Sequence, residues 1–212
     1  MADNYLENRY NEVFGQKKSI KKIGMTLDTL LIKNRSTRGY KNSFLVSEEV
    51  LKKIIGVNTK IASAKNAQTL RFKIVTKETG AETVLKNIKL GGMLPQLNLP
   101  LKGTEPNAFI IVCSNAQESR YIDIDLGISL QSMLLKAVEI GLNGIIICAF
   151  DKDAIKEAFN LEYNPLAILA IGKSAEKFRL EEITKDQSKK YYRDENGVHI
   201  VPKVKLEDLI IY

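Results

Sequence analysis

The 212-residue chain has no tryptophan, one histidine, two cysteines and five prolines, and the scarcity of histidine and cysteine narrows the chemistry it can carry. With His199 as the sole imidazole, a histidine-based metal centre is nearly excluded, and a Ser-His-Asp or Cys-His pair would have to be built on that one residue. Cys113 in "FIIVCS" and Cys148 in "IIICAF" lie in apolar, strand-like runs with no metal-ligand spacing. They read as buried free thiols rather than a disulfide framework. No apolar run approaches the ~20 residues of a membrane span, and the longest obvious one, Gly144 to Phe150, is strand-sized. The opening "MADNYLENRY" carries no apolar signal core, which points to a cytoplasmic protein.

What is present describes a folded, mildly basic chain. Apolar residues make up 44%, enough for a substantial core, and the formal charge is +7. The 32 basic residues are interleaved with 25 acidic ones and form no stripe, so no nucleic-acid partner is expected. Tyr191 and Tyr192, beside lysines, read as an edge strand rather than a base-stacking platform. No repeat, low-complexity tract or Gly/Ser/Pro linker divides the chain, so residues 1–212 are read as one domain, with 1–25 as an N-terminal helical extension.

Local patterns alternate between strand and helix. "SEEVLKKIIG" predicts a helix with Ser47 as N-cap, Glu48 and Glu49 in the first turn and Gly56 as its stop. "LRFKIVTKETGAETVL" predicts a strand, a turn at Gly80 and a second strand. Leu90 to Asn107, broken by Gly91, Gly92, Pro95, Pro100 and Pro106, predicts a long loop. "AFIIVCS" is a buried strand. The run from Asp125 to Gly141 is a helix apolar on nearly every side, buried in the core or against a second subunit. Strand "IIICAF", a helix opened by Asp151 and strand "PLAILAIG" follow. The fold class is α+β, a sandwich of helices on a sheet.

No Gly-rich phosphate loop is present, and Gly172-Lys173-Ser174 lacks the upstream glycine of a P-loop. Any phosphate must therefore be held by side chains. Arg35, Ser36 and Arg38 leave an apolar helical run together, and Lys203 and Lys205, two apart, point to one side of an extended segment. Taken alone, each is more often a solvated charged face than a ligand site. Ser63, Asn66 and Gln68 sit in a small-residue loop entering a strand, where amide side chains could meet a heteroaromatic edge or simply water. His199, near the two lysines, reads as a structural histidine in a tail strand.

Taken in order, "NRSTRGY", "SAKNAQTLRFKIV", "DLGISLQSMLLKAVEIGLNGIIICAFD", "PLAILAIGKS" and "YYRDENGVHIVPKVKLEDLII" resemble segments of the FMN-dependent nitroreductase family, from about Leu27 onward. The resemblance implies a mainly antiparallel sheet covered by helices, in an intertwined homodimer with one FMN site at each subunit interface. Arg35, Ser36 and Arg38 with Lys203 and Lys205 would surround the phosphate, ribityl chain and N1/O2 edge. Ser63, Asn66 and Gln68 would approach from the partner chain, and the Ala149 N–H, beside Cys148, would face flavin N5. The implied activity takes hydride from NADH or NADPH and passes electrons to a small-molecule acceptor such as a nitroaromatic or quinone, by a ping-pong mechanism. The low aromatic content, 7%, leaves a flavin binder with little turnover as the alternative. Asn98 and Lys102 are polar candidates for the acceptor side. The chain departs from the family pattern at Asn34, where a phosphate-binding arginine is usual, at Thr69-Leu70 in place of Pro-Trp, and at Ala149 in place of glycine.

Overall fold

The computed structural model describes residues 24–91 and 99–211. Four strands, β1 (Arg71–Val75), β2 (Phe109–Ser114), β3 (Asn143–Ile147) and β4 (Asn164–Gly172), form an antiparallel sheet in the order β1-β2-β4-β3. The two inner strands are buried along almost their whole length because both faces of the sheet are covered. Alternation along them divides the core. Ile110, Val112, Leu169 and Ile171 meet Leu51 and Met133 on one face, while Phe109, Ile111, Ile168 and Ala170 meet Val84 and Ile155 on the other.

The covering helices are α1 (Leu27–Lys33), α2 (Glu48–Ile55), α3 (Ala81–Lys86), α4 (Arg120–Glu139) and α5 (Lys152–Ala158). α2 takes the expected form: the Ser47 hydroxyl accepts the Val50 N–H, and Gly56 ends the helix. α5 is capped by Asp151, which accepts the Ala154 N–H. No helix among the described residues is long and apolar enough to cross a membrane.

A second, smaller sheet is built from the tail. β5 (Phe178–Ile183) runs parallel to β7 (His199–Val204), and β6 (Tyr192–Arg193) is the antiparallel edge, in the order β5-β7-β6. Tyr192 thus stands in an edge strand as expected, and Tyr191 directly precedes it.

Four expectations are corrected. The segment after Gly80 is helix α3, not a strand: Ala81, Val84 and Leu85 are spaced i, i+3, i+4, and that face packs into the core beside Ile155 and Phe159. The long helix begins at Arg120, and Asp125 lies inside it, its carboxylate turned to a neighbouring loop instead of capping α4. Within the expected run Leu130, Met133, Leu134, Ala137 and Val138 are buried in the single chain, while the preceding turn of α4 leaves Tyr121 and Ile124 59% and 44% exposed. β3 ends at Ile147, before Cys148 and Ala149. Cys148 is consequently exposed, whereas Cys113, inside β2, is buried and its thiol is pushed up to about 11 by desolvation. Residues 1–23 of the expected N-terminal extension and Asn98 lie outside the described residues.

Candidate functional site

The exit from α1 is fixed by Asn143, at the start of β3. Its Oδ1 accepts the N–H groups of Arg35 (3.3 Å) and Gly144 (3.0 Å), and its Nδ2 donates to the Lys33 carbonyl (2.8 Å). Ser36 then bridges to Gly144 in parallel register, with the Thr37 N–H donating to the Gly144 carbonyl at 3.0 Å. Only glycine fits there: a Cβ on residue 144 would lie 2.5 Å from the Ala170 carbonyl oxygen and 2.8 Å from Leu134 Cδ2. The arginine segment is therefore laid directly against the sheet edge.

From this ledge Arg38, itself buried, reaches the second sheet. Its Nη2 donates to the Tyr191 hydroxyl (3.3 Å), its Nη1 to the Ser36 carbonyl (3.1 Å), and its guanidinium carbon lies 5.0 Å from the Tyr191 ring centre. The Glu176 carboxylate accepts the Arg38 backbone N–H at 2.6 Å and pairs with Arg193. Along β7, alternation turns His199, Val201 and Lys203 to one side, and these meet the arginine segment across a cavity of about 390 Å³. Asn34, Arg35, Ser36 and Arg38 form one wall, Tyr191, His199 and Lys203 the other, and Leu134 and Ile146 add apolar surface.

The electrostatics of this cavity favour an anion. It gathers two guanidiniums and an ammonium, while the nearby carboxylate of Glu176 is already engaged by Arg193. Desolvation holds the Arg35 guanidinium below its usual pKa. Burial, and then the Arg38 charge, hold the His199 imidazole below its own. Arg35 Nε, Arg38 Nε and both ring nitrogens of His199 are buried with no partner among the described residues. Buried donors without acceptors are costly, and an oxyanion in the cavity would relieve that cost.

The amide-bearing loop lies elsewhere on the chain. Asp125 Oδ2 accepts from the Ser63 hydroxyl (2.7 Å) and Oδ1 from the Ala64 N–H (2.8 Å), and the Ser63 oxygen accepts the Gln68 N–H (3.0 Å). Tied down in this way, Lys65, Asn66 and Gln68 adopt left-handed backbone angles, φ 53°, 53° and 48°. Ser63 and Gln68 border a second cavity, about 550 Å³, walled by Ile55, Leu70, Phe72 and Ile74. Exposed Asn66 accepts from the Gln68 side-chain amide at 2.9 Å. The two cavities share no lining residue but flank one helix: α4 gives Asp125 and Ser129 to this one, Gln131 and Leu134 to the other.

Of the expected site residues, Asn34, Arg35, Ser36, Arg38 and Lys203 thus share one cavity, and Ser63 and Gln68 share another. Lys205 follows the end of β7, its backbone N–H bonded to Ile183, and does not line the first cavity. Ala149 lines a third cavity with Ile88, Lys89 and Phe150, and Cys148 beside it is exposed. The carbonyl of Ala149 accepts the Lys89 N–H. Lys102 is exposed in a turn. Sequence reasoning missed Asn143, Tyr191, Gln131 and Glu176. Only the Tyr191–Lys203 proximity in "YYRDENGVHIVPK" hinted at any of them.

The nitroreductase family model matches residues 31–173. No curated protein matches. Among solved structures, the chain is similar to a nitroreductase family protein from Streptococcus pneumoniae TIGR4, with 19% identity, TM-score 0.60, and coverage of 73% of this chain and 93% of that one. It is also similar to a nitroreductase family protein from Clostridium difficile 630, with 25% identity, TM-score 0.56 and coverage of 72% and 86%. A third is a nitroreductase structure in complex with FMN from Exiguobacterium sibiricum 255-15, with 23% identity, TM-score 0.59 and coverage of 72% and 90%.

Proposed function

The chain belongs to the nitroreductase family, and on that premise we propose that it is a cytoplasmic FMN-dependent oxidoreductase, one domain per chain, working as a homodimer with FMN at each subunit interface. The observation that carries this reading is the cationic cavity in which Arg35, Arg38 and Lys203 converge while two buried Nε atoms lack acceptors. Those residues fit a phosphate-bearing flavin. Bound FMN would supply the exchange of electrons between NADH or NADPH and a nitroaromatic, quinone or similar acceptor, in alternating half-reactions.

The chain's own groups supply placement, exclusion and charge. Arg35, Ser36 and Lys203 offer donors at the open side of the cavity, and Lys205 stands two residues further along the same strand direction. Buried Arg38, braced by Ser36 and Tyr191, holds a fixed positive charge in the cavity wall, which would favour negative charge on a bound, reduced cofactor. The Ala149 N–H, two residues beyond the end of β3 and beside Cys148, would be an additional donor. Leu134 and Ile146 make one side of the cavity apolar.

Ser63, Asn66 and Gln68 lie on a different face, so they contribute to that ligand from the partner chain. The dimer is supported by apolar surface that one chain leaves open: Leu27 and Ile32 on α1, Tyr121 and Ile124 on α4, and Leu206, Leu209 and Ile211 at the tail. The chemistry needs no histidine or cysteine nucleophile, in keeping with a chain nearly devoid of both. The test is a visible spectrum of purified protein before and after FMN, followed by anaerobic NADH or NADPH. Rapid bleaching of bound flavin supports the enzyme. A bound flavin that stays oxidised supports a flavin binder with little turnover, and absence of binding contradicts both.

A further inference from the structure

His199 is the chain's one histidine, and 2% of it is exposed. Its ring faces are occupied: the Phe178 ring stacks with its centre 5.4 Å away, and the Tyr191 ring is tilted at 5.0 Å. Its backbone N–H donates to the Lys177 carbonyl at 2.9 Å. Only the ring edges remain, and those edges carry Nδ1 and Nε2, neither of which has a partner among the described residues. Phenylalanine would fill the same slot between the two aromatic rings without burying two unpaired nitrogens, so packing alone gives no reason for an imidazole. The ring borders the same cavity as the unpaired Nε atoms of Arg35 and Arg38.

We propose that His199 is a ligand-contacting residue of this cavity, donating a ring N–H to the bound anion and taking up a proton as that anion enters. The proposal rests on the function proposed above, with FMN as the occupant.

The charged and titratable groups around the ring set the direction. Arg35 and Arg38 face it from the exit of α1, Glu176 from the turn before β5, where Lys177 meets His199 through its backbone carbonyl, Tyr191 from just before β6, Arg193 from β6, and Lys203 from β7. Without a ligand, desolvation, Arg38 and Arg193 all oppose protonation, and Glu176, which alone favours it, is shared with Arg193. An oxyanion beside the ring reverses the balance, because the imidazolium then gains a charge-assisted hydrogen bond. Binding takes up a proton, and affinity rises as pH falls through the histidine range.

Two measurements test this. The first follows FMN binding by fluorescence at about pH 6 and about pH 8 in wild-type protein, His199→Gln and His199→Phe. Wild type should bind roughly tenfold more tightly than His199→Phe at the lower pH, with a smaller gap at the higher, and His199→Gln should keep part of the affinity without this extra pH dependence. The second uses unmodified protein: with a single histidine, the imidazole Cε1–H resonance needs no assignment, and its titration midpoint should rise on adding FMN. An unchanged midpoint, or His199→Phe within about twofold of wild type at both pH values, overturns the contact while leaving the FMN reading intact. Wild-type protein that binds no FMN overturns both.

Discussion

Replacing Asp125 with alanine should loosen one loop without unfolding the protein. Asp125 is 7% exposed, and its carboxylate accepts from the Ser63 hydroxyl at 2.7 Å and the Ala64 N–H at 2.8 Å. Hydrogen bonds to a charged group contribute roughly 1.5–3 kcal/mol each, so the pair holds the loop by about 3–6 kcal/mol. Against this stand the left-handed conformations of Lys65, Asn66 and Gln68, at about 1 kcal/mol each or somewhat more for residues with a Cβ. The two sums are close enough that removing the carboxylate tips the loop toward relaxation. In Asp125→Ala, hydrogen exchange at the Ala64 and Gln68 amides should rise at least tenfold while amides of β2 and β4 keep their protection. FMN affinity should fall with it, since the loop would no longer hold Asn66 and Gln68 in place. Asp125→Asn keeps one acceptor and should fall between. Native-like protection of Ala64 in Asp125→Ala would refute the clamp.

Gly144→Ala should lower the melting temperature by roughly 2–12 °C, from an overpacking cost of about 1–3 kcal/mol against the Ala170 carbonyl, as read by circular dichroism. Asn34→Arg should slow FMN release about tenfold or more, because the cavity wall gains a guanidinium; an unchanged dissociation rate would count against Asn34 facing the phosphate. An alkylating reagent should modify exposed Cys148 in flavin-free native protein while buried Cys113, its thiol pushed up to about 11, reacts only on unfolding, as peptide mass mapping would show. Stability of the flavin-free protein should fall as pH drops below about 6.5, because the unfolded chain binds a proton at His199 that the folded site resists; denaturant melts of His199→Phe should lose that component.

Much of the fold was legible because local signals agreed with tertiary packing. Ser47 and Gly56 bracket α2, and the inner strands β2 and β4 announce themselves as unbroken apolar runs. Where period and propensity conflicted, the reading went astray: Thr83-Val84 suggested a strand, but the i, i+3, i+4 spacing of Ala81, Val84 and Leu85 carried α3. Asp125 looked like a cap because its real partners, Ser63 and Ala64, are some sixty positions away. The same distance hid most of the cavity. Arg35 and Arg38 are visible as a cluster, but Asn143 holds them across a separation of 108 residues, and Glu176 meets Arg38 across 138. His199 was placed correctly in a tail strand, yet its exposure to the arginines follows only from the register of β7 beside β5 and β6. Cys148 was misjudged because β3 ends at Ile147, three residues before the apolar run does at Phe150.

The central claim, that the cationic cavity of one chain and the amide loop of another close around one FMN, is tested most directly by subunit complementation. One variant carries Arg35→Ala with Lys203→Ala, the other Asn66→Ala with Gln68→Ala, and each alone should bind FMN poorly. Dissociated and reassembled together in equal amounts, they should regain tight binding at about a quarter of the sites, because half the dimers are mixed and each mixed dimer holds one intact site. A mixture that binds no better than its two components would show that the site lies within a single chain.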